Sequence, residues 1–176
     1  GEFDSTPPEG GDDAEKRVRT EGLWIKCAGC RQTIWKADLE VNLNVCPKCQ
    51  HHFKIGARQR IDLLLEPGYE LVDTGLQSTD PLSFSDVKSY KQRLRKAQEQ
   101  TGLKDAILNA VGQLGPHAAV VSAMEYSFIG GSMGAVVGET IARAVDRARI
   151  SQKPLIIVAA SGGARMMEGV VSLMQM

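Results

Sequence analysis

The sequence predicts an α/β fold in its second half, preceded by a small zinc ribbon. Apolar strand-like segments at residues 117–131 and 153–160 are each followed by residues with helical spacing. This alternation is typical of parallel strands joined by right-handed crossovers. All four cysteines lie in two C-x2-C pairs within residues 27–49, and both apolar segments run into pairs of glycines.

The charge is divided unevenly along the chain, although the net charge is zero. Residues 1–22 hold seven acidic and three basic side chains with several prolines and glycines, a composition that predicts a disordered tail. Residues 23–60 hold seven basic and two acidic side chains. This basic module suits phosphates, nucleic acid or an acidic partner, and a solvated charged face is the alternative. The longest apolar run, residues 155–160, is far shorter than the ~20 residues of a membrane span.

The cysteine pairs predict one structural Zn²⁺ in a ribbon of residues 23–54. The four ligands would be Cys27, Cys30, Cys46 and Cys49. Each pair forms a knuckle that directs two thiolates at one ion, and four sulfurs leave no position for water. Two disulfides are the alternative, which the lack of a signal peptide disfavours because it indicates a reducing compartment. Residues 33–45, between the pairs, are rich in β-branched and aromatic side chains and predict a short hairpin.

Residues 55–104 are predicted to be a helical linker region. The stretch contains an amphipathic helix that ends at Pro67, a polar segment over residues 73–86, and a charged helix over residues 87–102. Proline and glycine mark the ends of these segments. We expect a connection here rather than a site.

Residues 105–176 are predicted to form the α/β domain. In the helix after the first glycine pair, one face with small side chains is expected to pack on the sheet: Ala135, Gly138, Ile141, Ala142 and Val145. A second helix is predicted from residue 164 onward. It lacks a C-terminal cap before Met176, which indicates a fragment of a longer protein.

The second apolar strand ends in Ser161, Gly162 and Gly163. Helix N-termini at the carboxyl ends of parallel strands point N–H groups outward. We expect Ser161 to cap the next helix, the glycines to let a substrate oxygen approach the main chain, and Glu168 to lie near the positive end of the helix dipole. Such donors can stabilise an oxyanion. A glycine-rich turn without chemistry is the alternative.

A similar glycine cluster, IGGSMG, follows the first strand and contains Gly130 and Gly131. It does not fit the dinucleotide-binding fingerprint, and it lacks a Walker lysine. Two interpretations of this cluster remain open: a tight turn with close helix packing, and a contact with substrate.

Together, four motifs resemble the carboxyltransferase β subunits of bacterial and plastid acetyl-CoA carboxylase. These are CAGC…VCPKCQHHFKIGARQRI, YKQRLRKAQEQTGLKDA, FIGGSMGAVVGE and SGGARMMEGVVSLMQM. The resemblance covers residues 23–176. It implies a crotonase-like (ClpP/crotonase) spiral of ββα units, of which residues 105–176 would form the N-terminal part.

The resemblance implies transfer of a carboxyl group from carboxybiotin, held on a separate carrier protein, to acetyl-CoA. The product is malonyl-CoA, in the first committed step of fatty acid biosynthesis. The matching main-chain donors would be Gly162, Gly163 and Ala164, and the substrate-binding residues would be Gly130, Gly131 and Arg165. As an alternative to binding substrate, the side chain of Arg165 braces the loop.

The resemblance also implies partners: a carboxyltransferase α subunit in an α2β2 assembly, the biotin carboxyl carrier protein and biotin carboxylase. The location would be the cytoplasm or the plastid stroma. Family members continue beyond Met176 and supply a further oxyanion donor there, so the chain alone is expected to be inactive. The rival hypothesis is a zinc-ribbon module that binds nucleic acid, attached to an inactive enzyme fragment. Its possible stacking residues are Trp24, Trp35 and Phe53, two of which we expect in the core.

Overall fold

The computed structural model describes residues 22–176 of the chain. These fall into two compact units that divide between Lys54 and Ile55, the boundary expected from the sequence. The predicted tail, apart from Gly22, lies outside the described residues.

The first unit is a small ribbon that differs from the predicted hairpin. Strands β1 (Trp24–Lys26) and β2 (Thr33–Trp35) pair antiparallel, with Ile25 opposite Ile34. Helix α1 (Lys36–Val41) follows directly. The prediction of a hairpin over residues 33–45 is therefore wrong: the hairpin spans the first cysteine pair, and the segment after it is helical. Leu39 explains the helix, because its buried side chain packs with Cys27 and Cys46.

The second unit is built on one mixed sheet. Its strands are β3 (Glu70–Val72), β4 (Ile107–Leu114), β5 (His117–Met124) and β6 (Leu155–Val158), in the spatial order β3-β4-β5-β6. The β5 and β6 pair is parallel, as predicted. The β3–β4 and β4–β5 pairs are antiparallel, and the sequence did not predict β4.

Four helices belong to the second unit: α2 (Ala57–Leu64), α3 (Tyr90–Thr101), α4 (Ala135–Ser151) and the single turn α5 (Val170–Leu173). Strands β4 and β5 followed by α4 form one ββα unit, the repeat expected from the crotonase-like resemblance. Helix α2 packs Ile61 against Val121 of the sheet, whereas α4 packs Ala144 against Val120. Because adjacent residues of β5 point to opposite faces, these two contacts cover opposite faces of the sheet.

The region predicted to be a linker, residues 55–104, is part of this domain instead. It supplies the edge strand β3, the helix α2 that covers the sheet, and the helix α3. Tyr90, Leu94 and Ala97 of α3 lie in the main hydrophobic cluster. The sequence did not predict this buried stripe because so many of the other side chains of α3 are charged.

The buried face of α4 also differs from the predicted one. Val137, Thr140, Ala144 and Ala148 are buried, whereas Ala135, Ala142 and Val145 of the predicted face are exposed. The buried set includes a threonine, which an apolar pattern does not select. Its hydroxyl is satisfied because it donates to the Val136 carbonyl at 2.7 Å.

The second predicted helix is likewise absent at residue 164. A 3₁₀ turn (Met166–Glu168) and α5 stand in its place, separated by Gly169 with φ of 61°. Ser161 therefore caps no helix. Within residues 22–176, no helix combines the length and apolar character needed to cross a membrane.

Candidate functional site

The four cysteines of the ribbon are arranged to bind one metal ion. Their sulfur atoms lie within 4.8 Å of one another. The Sγ atoms of Cys27 and Cys49 are 3.7 Å apart, and those of Cys30 and Cys46 are 3.8 Å apart. A tetrahedron with Zn–S bonds of about 2.3 Å has edges of about 3.8 Å, so the spacing fits Zn²⁺. These separations are far longer than a disulfide bond, and the zinc prediction is confirmed over the alternative.

The two cysteine knuckles have the same main-chain geometry. In the first, the Arg31 N–H donates to the Cys27 carbonyl; in the second, the Gln50 N–H donates to the Cys46 carbonyl, both at 2.9 Å. Arg31 and Gln50 both have positive φ, 59° and 63°. This conformation closes each knuckle and turns both of its sulfurs to one side.

The thiols of the second knuckle show why a cation is needed. Burial raises the pKa of Cys46, but N–H groups of Cys49 and Lys48 that donate to its sulfur outweigh this and lower the pKa to about 7. The His51 N–H lowers the pKa of Cys49, yet burial and the three neighbouring thiols together raise it to about 12. Four thiolates repel one another unless a bound cation neutralises them.

The two glycine clusters that the sequence singled out lie side by side. The Gly162 N–H donates to the Gly130 carbonyl, the Met133 N–H to the Gly163 carbonyl, and the Arg165 N–H to the Met133 carbonyl, each at 2.8 Å. Met133 and Ala164 thus form a parallel bridge. The structure therefore joins two segments that were predicted separately.

Gly130 and Gly131 have different roles in this pairing. Both have positive φ, 66° and 64°. A Cβ at Gly131 would lie 2.1 Å from the Ala160 carbonyl oxygen, whereas a Cβ at Gly130 would meet no atom within 4 Å. Gly131 is thus required for close packing of the main chain, whereas Gly130 faces open space.

Of the three predicted main-chain donors, two are already bonded. The Gly162 N–H is paired with Gly130, and the Gly163 N–H donates to Ser161 Oγ at 3.0 Å. The Ala164 N–H has no acceptor among the residues that the structure describes. Alternate N–H groups of a paired segment point to opposite sides, so the bonds of Gly163 and Arg165 to Met133 leave the Ala164 N–H on the other side. Of the three predicted donors, Ala164 is therefore the one whose N–H is unpaired within residues 22–176.

Arg165 is a buried brace and does not contact solvent, which corrects its assignment as a substrate-binding residue. Its side chain is 0% exposed, and it makes a bidentate pair with Asp105 at 2.7 and 3.1 Å. It also donates to Ser78 Oγ, to Tyr90 OH, and to both the hydroxyl and the carbonyl of Ser132. With its nitrogens engaged in this way, the guanidinium has little capacity left for a ligand.

The pKa of Arg165 agrees with this role. Burial lowers it, but the hydrogen bonds and the negative charge of Asp105 outweigh burial and raise the pKa above its ordinary value. The guanidinium also lies over the Phe128 ring, 5.5 Å from its centroid. Arg165 follows Ala164 directly, so this network fixes the segment that presents the free N–H group.

Glu168 is the second anchor of the network. One carboxylate oxygen accepts from Tyr90 OH at 2.5 Å and from Ser78 Oγ at 3.2 Å, and the other accepts from the Ala135 N–H at 2.7 Å. Glu168 therefore lies at the N-terminus of α4 rather than that of its own helix, where a negative charge is stabilised. Burial raises the pKa of Tyr90 despite the nearby charge of Arg165, so its hydroxyl stays a donor.

Sequence reasoning missed Ser78, Tyr90 and Asp105, which lie 60 to 87 residues before Arg165. All three come from the stretch around the predicted linker. The one available signal was Tyr90, which has the spacing of the apolar stripe in an otherwise charged helix. Nothing local marks Ser78 or Asp105 as partners of an arginine.

The ribbon presents two tryptophans at its surface, which corrects the expectation that two of its aromatic residues are buried in its core. Trp24 and Trp35 are 55% and 47% exposed, and their ring centroids are 5.8 Å apart. They are opposite each other in the β1–β2 hairpin. Phe53 is partly buried and packs against the ribbon core.

Comparisons with known proteins assign both units. Residues 24–49 match the acetyl-CoA carboxylase zinc finger domain, and residues 54–176 match the carboxyl transferase domain. The chain is 46% identical over 171 residues to the acetyl-coenzyme A carboxylase carboxyl transferase subunit beta of Citrifermentans bemidjiense, covering 97% of this chain and 61% of the relative. It is 51% identical over 154 residues to the protein of that name from Thermus thermophilus, covering 88% and 54%. The chain thus spans little more than half the length of these relatives.

Two solved structures share the fold. A transcarboxylase 12S structure with methylmalonyl-coenzyme A matches 69% of this chain and 22% of that chain, with a TM-score of 0.55 and 21% identity. A Pseudomonas malonate decarboxylase hetero-tetramer in complex with malonate matches 69% of this chain and 42% of that chain, with a TM-score of 0.51 and 28% identity.

Proposed function

The chain belongs to the carboxyl transferase domain family and carries an acetyl-CoA carboxylase zinc finger domain before it, and from this premise we propose that it acts in acetyl-CoA carboxylase. The proposed reaction moves a carboxyl group from carboxybiotin on a separate carrier protein to acetyl-CoA and yields malonyl-CoA. The curated relatives named as carboxyl transferase β subunits support this substrate. The free N–H of Ala164, on a segment fixed by buried Arg165, is the observation that supports the chemistry.

In the proposed reaction, the chain holds the thioester and stabilises its developing negative charge. Carboxybiotin supplies the carboxyl group, and its ureido nitrogen takes the methyl proton as the N–C bond breaks and the new C–C bond forms. The Ala164 N–H donates to the thioester oxygen as it becomes an enolate oxygen. Gly163 can donate as well if Ser161 gives up its bond, because that acceptor is an exposed hydroxyl. A donor of this kind changes kcat by about 10²–10³-fold.

The wider assembly follows from the same proposal. The chain would work with a carboxyltransferase α subunit in an α2β2 complex, with the biotin carboxyl carrier protein and with biotin carboxylase, in the cytoplasm or the plastid stroma. The ribbon would hold one Zn²⁺ as a structural ion, because the four sulfurs leave it no open position. A docking surface for the α subunit is then the proposed role of the ribbon.

A hybrid enzyme tests the proposal. Residues 23–176 would replace the corresponding part of the Thermus thermophilus relative, and the hybrid would be assembled with the α subunit of that organism. We expect malonyl-CoA to form from carboxybiotin and acetyl-CoA. An assembled hybrid that forms none, beside an active unmodified relative, contradicts the proposal.

Replacing an amide by an ester isolates the role of Ala164 in the hybrid. Lactic acid in place of Ala164 replaces the N–H by an ester oxygen and weakens the Gly163 carbonyl as the acceptor for the Met133 N–H. We expect kcat to fall by about 10²–10³-fold through loss of the N–H donor. Lactic acid in place of Ala142, on the exposed side of α4, is the matched control and should leave kcat unchanged. An unchanged kcat with the ester at position 164 contradicts the assignment of this donor.

A second candidate function, nucleic acid binding by the ribbon, is favoured by one observation. Trp24 and Trp35 form an exposed aromatic pair in a module with an excess of basic residues. Bases stack on such pairs, and binding to phosphates weakens steeply with salt. Salt-dependent binding of single-stranded RNA that is lost on Trp24→Ala and Trp35→Ala would support it. Unchanged binding in both variants would count against it.

A further inference from the structure

Two buried polar side chains lie opposite each other in the middle of the sheet. Asn109 of β4 and Ser122 of β5 are partners in the antiparallel register. They are 1% and 0% exposed. Both belong to the face that α4 covers, because Ser122 is two residues from Val120, which packs against Ala144. Polar groups at such a depth almost always have hydrogen-bond partners.

One atom of each side chain has no partner among the described residues: Asn109 Oδ1 and Ser122 Oγ. The nitrogen of Asn109 is fully engaged, because it donates to Asp73 Oδ2 at 3.1 Å and to the Thr140 carbonyl at 2.8 Å. Both of these partners are acceptors, which fixes the orientation of the amide. Asp73 follows β3, on the side of β4 away from β5. With Nδ2 directed at β3 and α4, Oδ1 is left on the side of β5, where Ser122 lies.

Water has the hydrogen-bonding capacity that this pair of atoms requires. Ser122 Oγ can donate and accept, whereas Asn109 Oδ1 can only accept. A water molecule that accepts from the hydroxyl and donates to the amide oxygen satisfies both atoms, and two partners are the minimum for a buried water. The carboxylate of Asp73 is already paired with Arg147 at 3.1 Å. Its charge is therefore compensated, which favours a neutral occupant over a cation.

We propose that Asn109 Oδ1 and Ser122 Oγ bind one buried water molecule between the sheet and α4. The water completes a chain of hydrogen bonds from Arg147 through Asp73 and Asn109 to Ser122, which joins β3, β4, β5 and α4. A slip of β4 by one residue would turn Asn109 to the opposite face of the sheet, so the water is bound only in the native register. This site does not depend on the proposed function.

A crystal structure of the zinc-loaded 176-residue chain, at a resolution that shows ordered water, tests the site directly. We expect one water at about 2.7–3.2 Å from both Asn109 Oδ1 and Ser122 Oγ. A direct hydrogen bond between the two side chains, an ion in place of the water, or no density between them overturns the proposal. The wild-type structure decides this even if a variant does not fold.

Two variants of nearly the same shape test the hydroxyl in solution. Ser122→Thr keeps the ligand, whereas Ser122→Val replaces it by a methyl group. We expect Ser122→Val to have the lower urea midpoint and to lack the water in its crystal structure, because Asn109 Oδ1 loses its partner. If the hydroxyl binds no water, Ser122→Val should be the more stable variant, since valine buries more apolar surface; that order overturns the proposal.

The same two substitutions at Gln113 are the matched control. Gln113 is an exposed residue of β4, so Gln113→Thr and Gln113→Val report the intrinsic difference between threonine and valine in this sheet. We expect their urea midpoints to be similar. A lower midpoint for valine by the same amount at both positions overturns the proposal, because the effect then does not come from the buried site. None of these results alters the test of carboxyl transfer in the hybrid enzyme.

Discussion

Alanine at Gly131 should destabilise the protein far more than alanine at Gly115. Their φ angles are 64° and 57°, so both variants carry the same cost of a left-handed conformation, about 1–2 kcal/mol. The added Cβ differs: it meets open space at Gly115, but at Gly131 it would lie 2.1 Å from the Ala160 carbonyl oxygen. The two segments must then separate, which also strains the bond between Gly162 and Gly130. We expect a further loss of about 2–4 kcal/mol in the free energy of unfolding.

Urea unfolding of the zinc-loaded chain measures this difference. The midpoints of the two variants are compared at constant slope, because an altered slope would indicate a change in the denatured state. The difference between the variants removes the shared cost of φ. Equal midpoints for Gly131→Ala and Gly115→Ala would show that the Ala160 carbonyl does not pack against Gly131, and the paired arrangement of the glycine segments would be wrong.

Three further predictions concern the network, the sheet and the metal. Arg165→Met should lower the free energy of unfolding by about 3–5 kcal/mol because it leaves Asp105 buried without its partner. The control variant Arg143→Met, at an exposed position, should lower it by less than about 0.5 kcal/mol. Equal losses for the two variants in chemical unfolding would contradict the role of Arg165 as a buried brace. Hydrogen bonds from Ser127 and the Ala57 N–H outweigh burial and hold the pKa of Glu125 below 4.5. The contribution of the Glu125 carboxylate to the free energy of unfolding is thus present above pH 4.5 and lost as pH falls through the lowered pKa. Glu125→Gln should lower the free energy of unfolding by about 1–2 kcal/mol at pH 7. If the variant is destabilised by the same amount at pH 3, the loss does not come from the charged carboxylate. Cys46→Ser should abolish zinc binding, measured as metal per chain, and leave the unfolding of residues 55–176 unchanged; retained zinc contradicts the ligand set.

The zinc ribbon could be predicted because its signal is local. Two residues between the cysteines of each pair dictate a knuckle, and the repeated bond from Arg31 to Cys27 and from Gln50 to Cys46 shows the same turn twice. The hairpin was misplaced because β-branched composition indicates strands without indicating which strands pair. The segment after β2 is a helix instead, in which the buried side chain of Leu39 packs with Cys27 and Cys46.

The glycine segments were predicted as separate turns, and their pairing was not. Gly131 is needed because the Ala160 carbonyl approaches it, and a sequence does not state which carbonyl that is. The same limit applies to Arg165, for which two roles remained open until Asp105 was placed beside it. Strand β4 was missed because Asn109 and Gly112 interrupt its apolar pattern, although Asn109 is buried and donates to the Thr140 carbonyl.

The buried network around Arg165 also determines when the interior of the domain can form during synthesis of the chain. Asp105 leaves the ribosome 60 residues before Arg165, and Ser78 leaves 87 residues before it. At about 5–20 residues per second, Asp105 waits roughly 3–12 s for its counterion. Until then its carboxylate is more stable in water than in a closed core. The nascent domain therefore completes its interior only when the segment that carries Arg165 emerges, whereas the ribbon can bind its ion as soon as Cys49 is free.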